Sequence, residues 1–560
     1  MFRDQSFTED LHGAALNRIE NVALLRNTQF REDAGPTAHP VQPDSYQAID
    51  NFYTTTIYEK GAELIRMLHT VLGEETFMRG MALYVQRHDG CAATCDDFLQ
   101  AMQDAVGGPP PFDFDQFRRW YHQAGTPVLQ IQRHWDGDAG VLELQIHQHT
   151  PPTPGQHRKH PVVIPLALGL IDQAGTELPL QLEGEPAPSP GTRLLVIDRE
   201  EQSLRLVGLP RRQHPPALSL LRQFSAPVKL DLGRPAAELV HLLAADHDPF
   251  ARWDAGQALL RRTLLARAAG QPDAQSEEEL IDAFGRILAD PSLSEASRSV
   301  LLALPGLAEL EDAAEAAGQE PEPPALFEAL MDLQRCFGEA LAESLASALE
   351  RCREAWQDTW PGGSGARRLT ALIWSWRAAA ADAGVIAAAR AAVDGPSMTL
   401  ARAGLRALQC LPIPERQAAM DAFHARWQQR PVILDAWFAL EAAAPFAGGL
   451  ERVSRLLEHP HYDPMAPNSV RAVLGGLAGN APVFHAADGS GYRFLAGQIA
   501  DLDRRNPITA SRLAKVFSRW RSYGPARSGA MRAALEQLAA ADLSPNSREV
   551  VGLCLGGGGD

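Results

Sequence analysis

The sequence predicts a mainly α, multidomain chain in which one β-sandwich separates two helical regions. Three observations carry this. At 560 residues the chain is too long for a single hydrophobic core, so two to four domains are expected. Alanine is abundant while aromatics make up only 7% of residues, a balance that favours helix. The spacing of apolar residues also changes twice, from helical to alternating near residue 126 and back near residue 231.

Residues 1–124 read as helical. Leu64, Ile65, Met67, Leu68, Val71 and Leu72 form one apolar stripe, and Phe77, Met81, Tyr84 and Val85 form a second. Thr94 precedes a segment with Asp96 and Asp97 in its first turn, which predicts an N-cap with charges matched to the helix dipole. The Gly-Pro run 107–111 is a loop. Residues 114–123 resume a helix that stops at Gly125, with Pro127 beyond.

Residues 125–230 alternate. Residues 141–149 read VLELQIHQH, and Pro- and Gly-rich turns punctuate the strand-like runs that follow. The apolar run 161–171 is too short to span a bilayer and reads as a buried strand. From 231 to 560 the pattern is helical again, with short loops and no strict repeat, as in an α-solenoid. Leu280, Ile281, Phe284, Ile287 and Leu288 form one stripe there, and Leu513, Val516, Phe517 and Trp520 another. The glycine-rich runs 361–366 and 556–559 are expected to be mobile loops.

Charge and composition exclude several roles. A net charge of −17 repels nucleic acid and anionic membranes, so neither is an expected partner. No segment approaches the roughly 20 continuous apolar residues of a membrane span. The first residues lack the apolar stretch of a secretory signal, and six scattered cysteines suit a reducing compartment; a cytoplasmic location is expected. Cys91 and Cys95 lie one turn apart if that stretch is helical, and they read as free thiols.

Tyr58 stands where a helical pattern opens, within NFYTTTIYEKGA (51–62). A tyrosine hydroxyl can stabilise an oxyanion, but a core or surface tyrosine is equally open on the residues alone. Tyr53, in the same segment, reads as pocket wall or packing. Glu59 and Lys60 read as a solvated first turn. Asp4 is a candidate carboxylate partner for a metal-bound histidine, or a surface residue. The histidine pairs 147/149, 157/160 and 459/461 each lack a third ligand and read as surface groups. Residues 488–492 (DGSGY) match no phosphate loop or nucleophile elbow and read as a turn between helices. Arg471 is a candidate clamp for a substrate carboxylate or a helix-surface arginine.

Several strings together resemble the alanyl aminopeptidase (aminopeptidase N) family of zinc peptidases: MFRDQSF (1–7), NFYTTTIYEKGA (51–62), residues 88–105 and 117–131, LLRQFSAPVKL (220–230), residues 250–260 and residues 484–507. The resemblance covers nearly the whole chain. It implies the C-terminal half of a thermolysin-like peptidase domain over 1–124, an Ig-like β-sandwich over 125–230 and an armadillo/HEAT-like helical domain over 231–560. It also implies Tyr58 as oxyanion stabiliser, Tyr53 at the substrate pocket and Asp4 behind the metal ligands. The complete family enzyme uses zinc and removes neutral or basic N-terminal residues from peptides.

The family holds zinc through H-E-x-x-H and a distant Glu, and no H-E-x-x-H occurs in this sequence. The alignment of FRDQ places the ligand Glu four residues upstream of Met1. No metal ligand is therefore expected within the chain, and the chain alone is expected to be inactive and zinc-free. Two alternatives accompany this expectation. One is a non-catalytic α-solenoid scaffold. The other is one half of a split peptidase, partnered by a separately encoded N-terminal half.

Overall fold

The N-terminal helices α1 (Phe2–His12) and α2 (Ala14–Asp33) meet at Gly13, whose φ of 88° turns the chain at no Cβ cost. A computed structural model describes residues 2–46, 48–356 and 362–556, with the side chains of residues 2–4 outside the described set. The chain divides into two compact units. The first comprises residues 1–45 and 53–256, the second residues 46–52 and 257–560.

In the first unit, a five-residue π-helical turn, Thr56–Lys60, runs directly into α3 (Gly61–Leu72). Leu64, Met67 and Leu68 of the predicted stripe are fully buried, with Ile65, Val71 and Leu72 packed at the margin. In α4 (Glu74–His88), Phe77 is buried, whereas Val85 is exposed and lies outside the stripe expected of it. Gly80 lets α4 approach α5 (Cys95–Asp104) closely, because a Cβ there would stand 2.4 Å from the Met102 sulfur. Thr94 caps α5 as expected: its hydroxyl accepts from the Asp97 amide while the Asp97 carboxylate accepts from the Thr94 amide. The single helix expected over 114–123 is instead two short ones, Phe114–Phe117 and Arg119–His122. Arg118 between them keeps αR geometry, and Phe117, Trp120 and Tyr121, at i, i+3 and i+4, all enter the core from one face.

Eight strands follow: β1 (Val128–Asp136), β2 (Val141–His149), β3 (Ile164–Ile171), β4 (Glu177–Leu178), β5 (Arg193–Ile197), β6 (Glu201–Leu206), β7 (Ala217–Leu220) and β8 (Lys229–Asp231). They form two four-stranded sheets. One has the order β6-β2-β1-β8, with β8 parallel to β1. The other is centred on β3, which pairs with β4, β5 and β7. The register is set by alternation: Leu142, Leu144 and Ile146 of β2 face inward, and Leu129 and Ile131 of β1 join them. Every residue of β3 is buried, as the unbroken apolar run predicted. One continuous core links α3, α4, α5 and Trp120 to both sheets.

In the second unit, helices run from residue 257 to Gly556. The stripe Leu280, Phe284, Ile287 and Leu288 is buried within the helix Ala274–Ala289. The stripe expected over 513–520 crosses from an α-helix (Pro507–Ala514) into a 3-10 helix (Lys515–Ser522). Phe517 and Trp520 are still buried together, because three residues per turn aligns i with i+3. Part of the expected loop 361–366 is ordered: Ser364, Gly365 and Ala366 form the first turn of the helix Ser364–Ala379. There Gly365 lies so close to Ala296 that a Cβ would stand 2.7 Å from its amide nitrogen. Pro361 and Gly557–Gly559, also expected to be mobile, fall outside the described residues. Asn51, on the 3-10 turn Ile49–Phe52, donates to Glu549 Oε2 at 2.7 Å and to the Asn546 carbonyl at 3.2 Å, which ties that turn to the last helix.

Candidate active site

The last turn of α2 presents Gln29, Glu32 and Asp33, and these three side chains hold the π-helical turn. Glu32 Oε1 accepts from the Thr56 amide at 3.0 Å, and Gln29 donates to the Thr56 hydroxyl at 3.4 Å. Thr54 supports the start of the turn, its hydroxyl accepting from the Ile57 amide and its carbonyl from the Tyr58 amide, both at 3.3 Å. At the other end, Lys60 Nζ donates to Asp33 Oδ2 at 2.7 Å and to the Gly125 carbonyl at 2.9 Å. Asp33 also accepts from the Gly125 amide at 2.8 Å and the Thr126 hydroxyl at 3.0 Å. The ammonium lies over the Trp120 ring, 5.8 Å from its centroid.

This arrangement corrects one expectation. Lys60 is not solvated; it is 1% exposed, and Asp33 is equally buried. A buried charge persists only when paired and hydrogen-bonded, and here each ion has further polar partners besides the other. Burial alone pushes the Asp33 carboxyl upward. The Lys60 charge, with hydrogen bonds from Lys60, Gly125 and Gln29, outweighs that and holds it below its usual value. Nearby, Lys159 donates to the Ala124 carbonyl at 2.8 Å and to Gln156 Oε1 at 2.9 Å. Burial pulls its pKa down to about 8, Asp33 opposing and Lys60 reinforcing the shift.

One turn further on, Glu63 is clamped by Arg18 through two hydrogen bonds, of 2.8 and 2.5 Å. Arg18 in turn donates to the carbonyls of Gln223 and Phe224. The inward face of residues 56–63 is therefore fully engaged. The two tyrosines face the other way: Tyr53 is 54% and Tyr58 58% exposed. The result is a phenol displayed on a rigid, strapped turn, able to donate a hydrogen bond to an oxygen that gains charge.

The other sequence candidates separate from this place. The Asp4 side chain lies outside the described residues. Residues 91–94 are not helical, so Cys91 and Cys95 do not share a helix face; both are exposed. His147 and His149 stack on β2 with ring centroids 5.5 Å apart, and His157 and His160 are exposed. His459 departs from the surface reading: it is half-buried, and its Nε2 lies 3.0 Å from Nε2 of His424. Its Nδ1 accepts from the His461 amide at 3.2 Å, so Nε2 carries the hydrogen and donates to His424. Residues 488–492 form the expected turn, with Gly489 at φ 69° capping the helix Ser490–Asp503. Arg471 is exposed and donates to Asn468 Oδ1, three residues before it.

Among the described residues, no three His, Cys, Asp or Glu side chains are grouped to hold a metal ion. A catalytic zinc takes three protein ligands and keeps one position open, so these residues alone do not fit that ion.

Comparisons with known proteins place the chain in a family. A family model described as a domain of unknown function with ARM repeats (DUF3458_C) matches residues 236–556. The chain belongs to that family. A domain of unknown function with an Ig-like fold (DUF3458) matches residues 125–233, and the Peptidase family M1 domain matches residues 1–121. Aminopeptidase N of Escherichia coli K12 is 38% identical over 544 residues, covering 96% of this chain and 61% of the relative. Aminopeptidase N of Caulobacter vibrioides is 39% identical over 576 residues, covering 99% and 62%. The crystal structure of Legionella pneumophila aminopeptidase A in complex with aspartic acid superposes with a TM-score of 0.83 at 25% identity, over 99% of this chain and 62% of that one.

The chain is thus similar to aminopeptidase N proteins over 96–99% of its length, its first 121 residues match the M1 peptidase domain, and its Ig-like and ARM-like regions follow the expected fold class. It spans about three-fifths of the length of the relatives it matches, 61% and 62%. No helix among the described residues is long and apolar enough to cross a membrane.

Lys60, Asp33 and His424 are the groups that sequence reasoning missed. A lysine in a helix's first turn looks like a surface residue. Asp33 and His424 meet their partners 27 and 35 positions away, where no local pattern links them.

Proposed function

We propose that this chain carries the oxyanion-stabilising and substrate-flanking part of a cytoplasmic M1 aminopeptidase that removes N-terminal residues from peptides. Tyr58 donates its hydroxyl to the carbonyl oxygen of the scissile bond as the carbon becomes tetrahedral, which lowers the barrier. One such donor is worth about 2.7–4 kcal/mol. Tyr53 flanks the pocket that receives the first side chain. Asp4 supports a metal-ligating histidine. The observation that carries the reading is the inside-out asymmetry of residues 53–60: every inward group is bonded, while both tyrosines stand exposed.

On this proposal the chain by itself neither holds zinc tightly nor hydrolyses an aminoacyl-arylamide, a reading motivated by the lack of an H-E-x-x-H motif in its sequence. Purified chain should contain far less than one zinc per molecule and show no turnover. Stoichiometric zinc together with chelator-sensitive turnover would overturn this.

A split-peptidase arrangement has its own support. Phe7 and Leu11 stand one turn apart on α1, and they and Leu24 of α2 are exposed apolar side chains that a docked partner would cover. Activity gained on adding a zinc-bearing N-terminal half of an M1 peptidase would support it. A mixture that stays inactive, with no complex formed, would exclude it.

A further inference from the structure

The buried Lys60–Asp33 pair has no place in the chemistry proposed above, and burying two charges is costly where apolar residues would pack as well. We infer that Lys60 and Asp33 are positioning residues. They set where the Tyr58 phenol stands, and they couple that position to the joint between the helical region and the β-sandwich. The inference rests on the role proposed for Tyr58.

Three features carry it. The pair bridges the turn to two elements at once: Asp33 ends α2, and both ions bond Gly125, at the joint that leads into β1. Lys60 is the last residue of the five-residue π-helical turn and Tyr58 its middle residue, so fixing Lys60 inward directs Tyr58 outward. A π turn is less favourable than the α-helix that follows it and persists where tertiary contacts impose it. The contacts that impose it here are Glu32 on the Thr56 amide, Gln29 on the Thr56 hydroxyl, and Asp33 with Gly125 on Lys60. The joint is itself constrained. Gly125 has φ 93°, and a Cβ there would lie 2.9 Å from the Thr150 methyl carbon. A shift at the sandwich joint is thereby transmitted to the catalytic turn.

The neighbouring Arg18–Glu63 pair provides the control. It is equally buried and anchors α3 to α2, but it makes no bond to residues 54–60.

The test uses the chain labelled with 13Cζ-tyrosine, in which Tyr58→Phe assigns one of the eight tyrosine resonances. The double variant Asp33→Asn/Lys60→Met removes both charges and keeps the volumes. It should shift or broaden the Tyr58 resonance and speed amide exchange of residues 54–60 by about ten-fold or more. Arg18→Met/Glu63→Gln should leave the Tyr58 resonance in place even where it lowers the unfolding midpoint. Should the first double variant not fold, Glu32→Ala decides, since it frees the Thr56 amide and leaves the Lys60–Asp33 pair in place; it too should move Tyr58. An unmoved Tyr58 resonance, or an equal response to Arg18→Met/Glu63→Gln, would overturn the inference. Neither readout depends on turnover, so a lack of peptidase activity after mixing with a zinc-bearing N-terminal half would count against the role of Tyr58 and leave the positioning result intact.

Discussion

Two clusters of polar side chains differ in what they leave available. At residues 53–60, the buried ions and amides bond to protein and the Tyr58 phenol stands outward. At His459 the imidazole is itself engaged: the His461 backbone amide donates to its Nδ1, and its Nε2 donates to His424 beside Trp437. The first cluster uses its bonding to hold the turn that displays Tyr58, the proposed oxyanion donor. The second uses its reactive groups as the bonding. A histidine cluster attracts attention as a metal site, yet the tautomer that these bonds require puts a hydrogen between the two Nε2 atoms, where a metal would have to sit. What a polar cluster leaves unengaged is thus a better guide to function than which residue types it contains.

The largest expected effect tests how strongly the first cluster is held. Asp33→Asn leaves the Lys60 ammonium buried without its carboxylate and should destabilise the first unit by about 3–5 kcal/mol. Urea unfolding, resolved for each unit by hydrogen exchange, would measure it. Adding Lys60→Met should recover a large part of the loss. An effect spread equally over both units would break the contrast.

Gly125→Ala should cost about 1–2 kcal/mol in the same measurement. It forces a non-glycine residue to φ 93° and into the Thr150 methyl group. Unlike other substitutions of similar cost, it should also disturb Tyr58.

Thr94→Ala, at the start of α5, removes a capping box and should cost about 1 kcal/mol. The loss should appear in amide exchange over residues 95–104 and leave Tyr58 unmoved, which sharpens the claim that only the strapped turn reports on the phenol.

The smallest effect separates the clusters by pH. Burial, then His424 and His461, lower the His459 pKa below its ordinary 6.5. The unfolded chain therefore takes up its proton first on acidification. The stability this group contributes is complete above about pH 6.5 and is lost as pH falls below it. Asp33 is also lowered, from 3.8, so its contribution is complete above that value and is lost only as pH falls further. Hydrogen exchange at pH 7, 5 and 3 should show the region of His424 and His459 weakening by pH 5, with residues 53–68 following only toward pH 3. The reverse order would contradict both assignments.

The sequence carried much of this, unevenly. The helix stripe at Leu64, Met67 and Leu68, the cap at Thr94 and the buried run of β3 follow from local periodicity and side-chain chemistry, and each lies where expected. Tyr58 stands out in the sequence because its segment is distinctive, and its role as oxyanion donor is our proposal. Its supporting shell was not, because Lys60 and Asp33 gain their meaning only when α2, the π turn and the sandwich joint come together. The same limit explains Val85, which fits a helical stripe yet faces solvent, and the 3-10 helix at Lys515–Ser522, where the apolar spacing suits either helix type.

The most direct test of the central claim is aminoacyl-arylamide hydrolysis after mixing this chain with a zinc-bearing N-terminal half of an M1 aminopeptidase. Turnover should appear with the unaltered chain. With Tyr58→Phe, kcat should be about 10²–10³-fold lower at an unchanged KM. Equal turnover by the two chains, or none with either, would contradict the account.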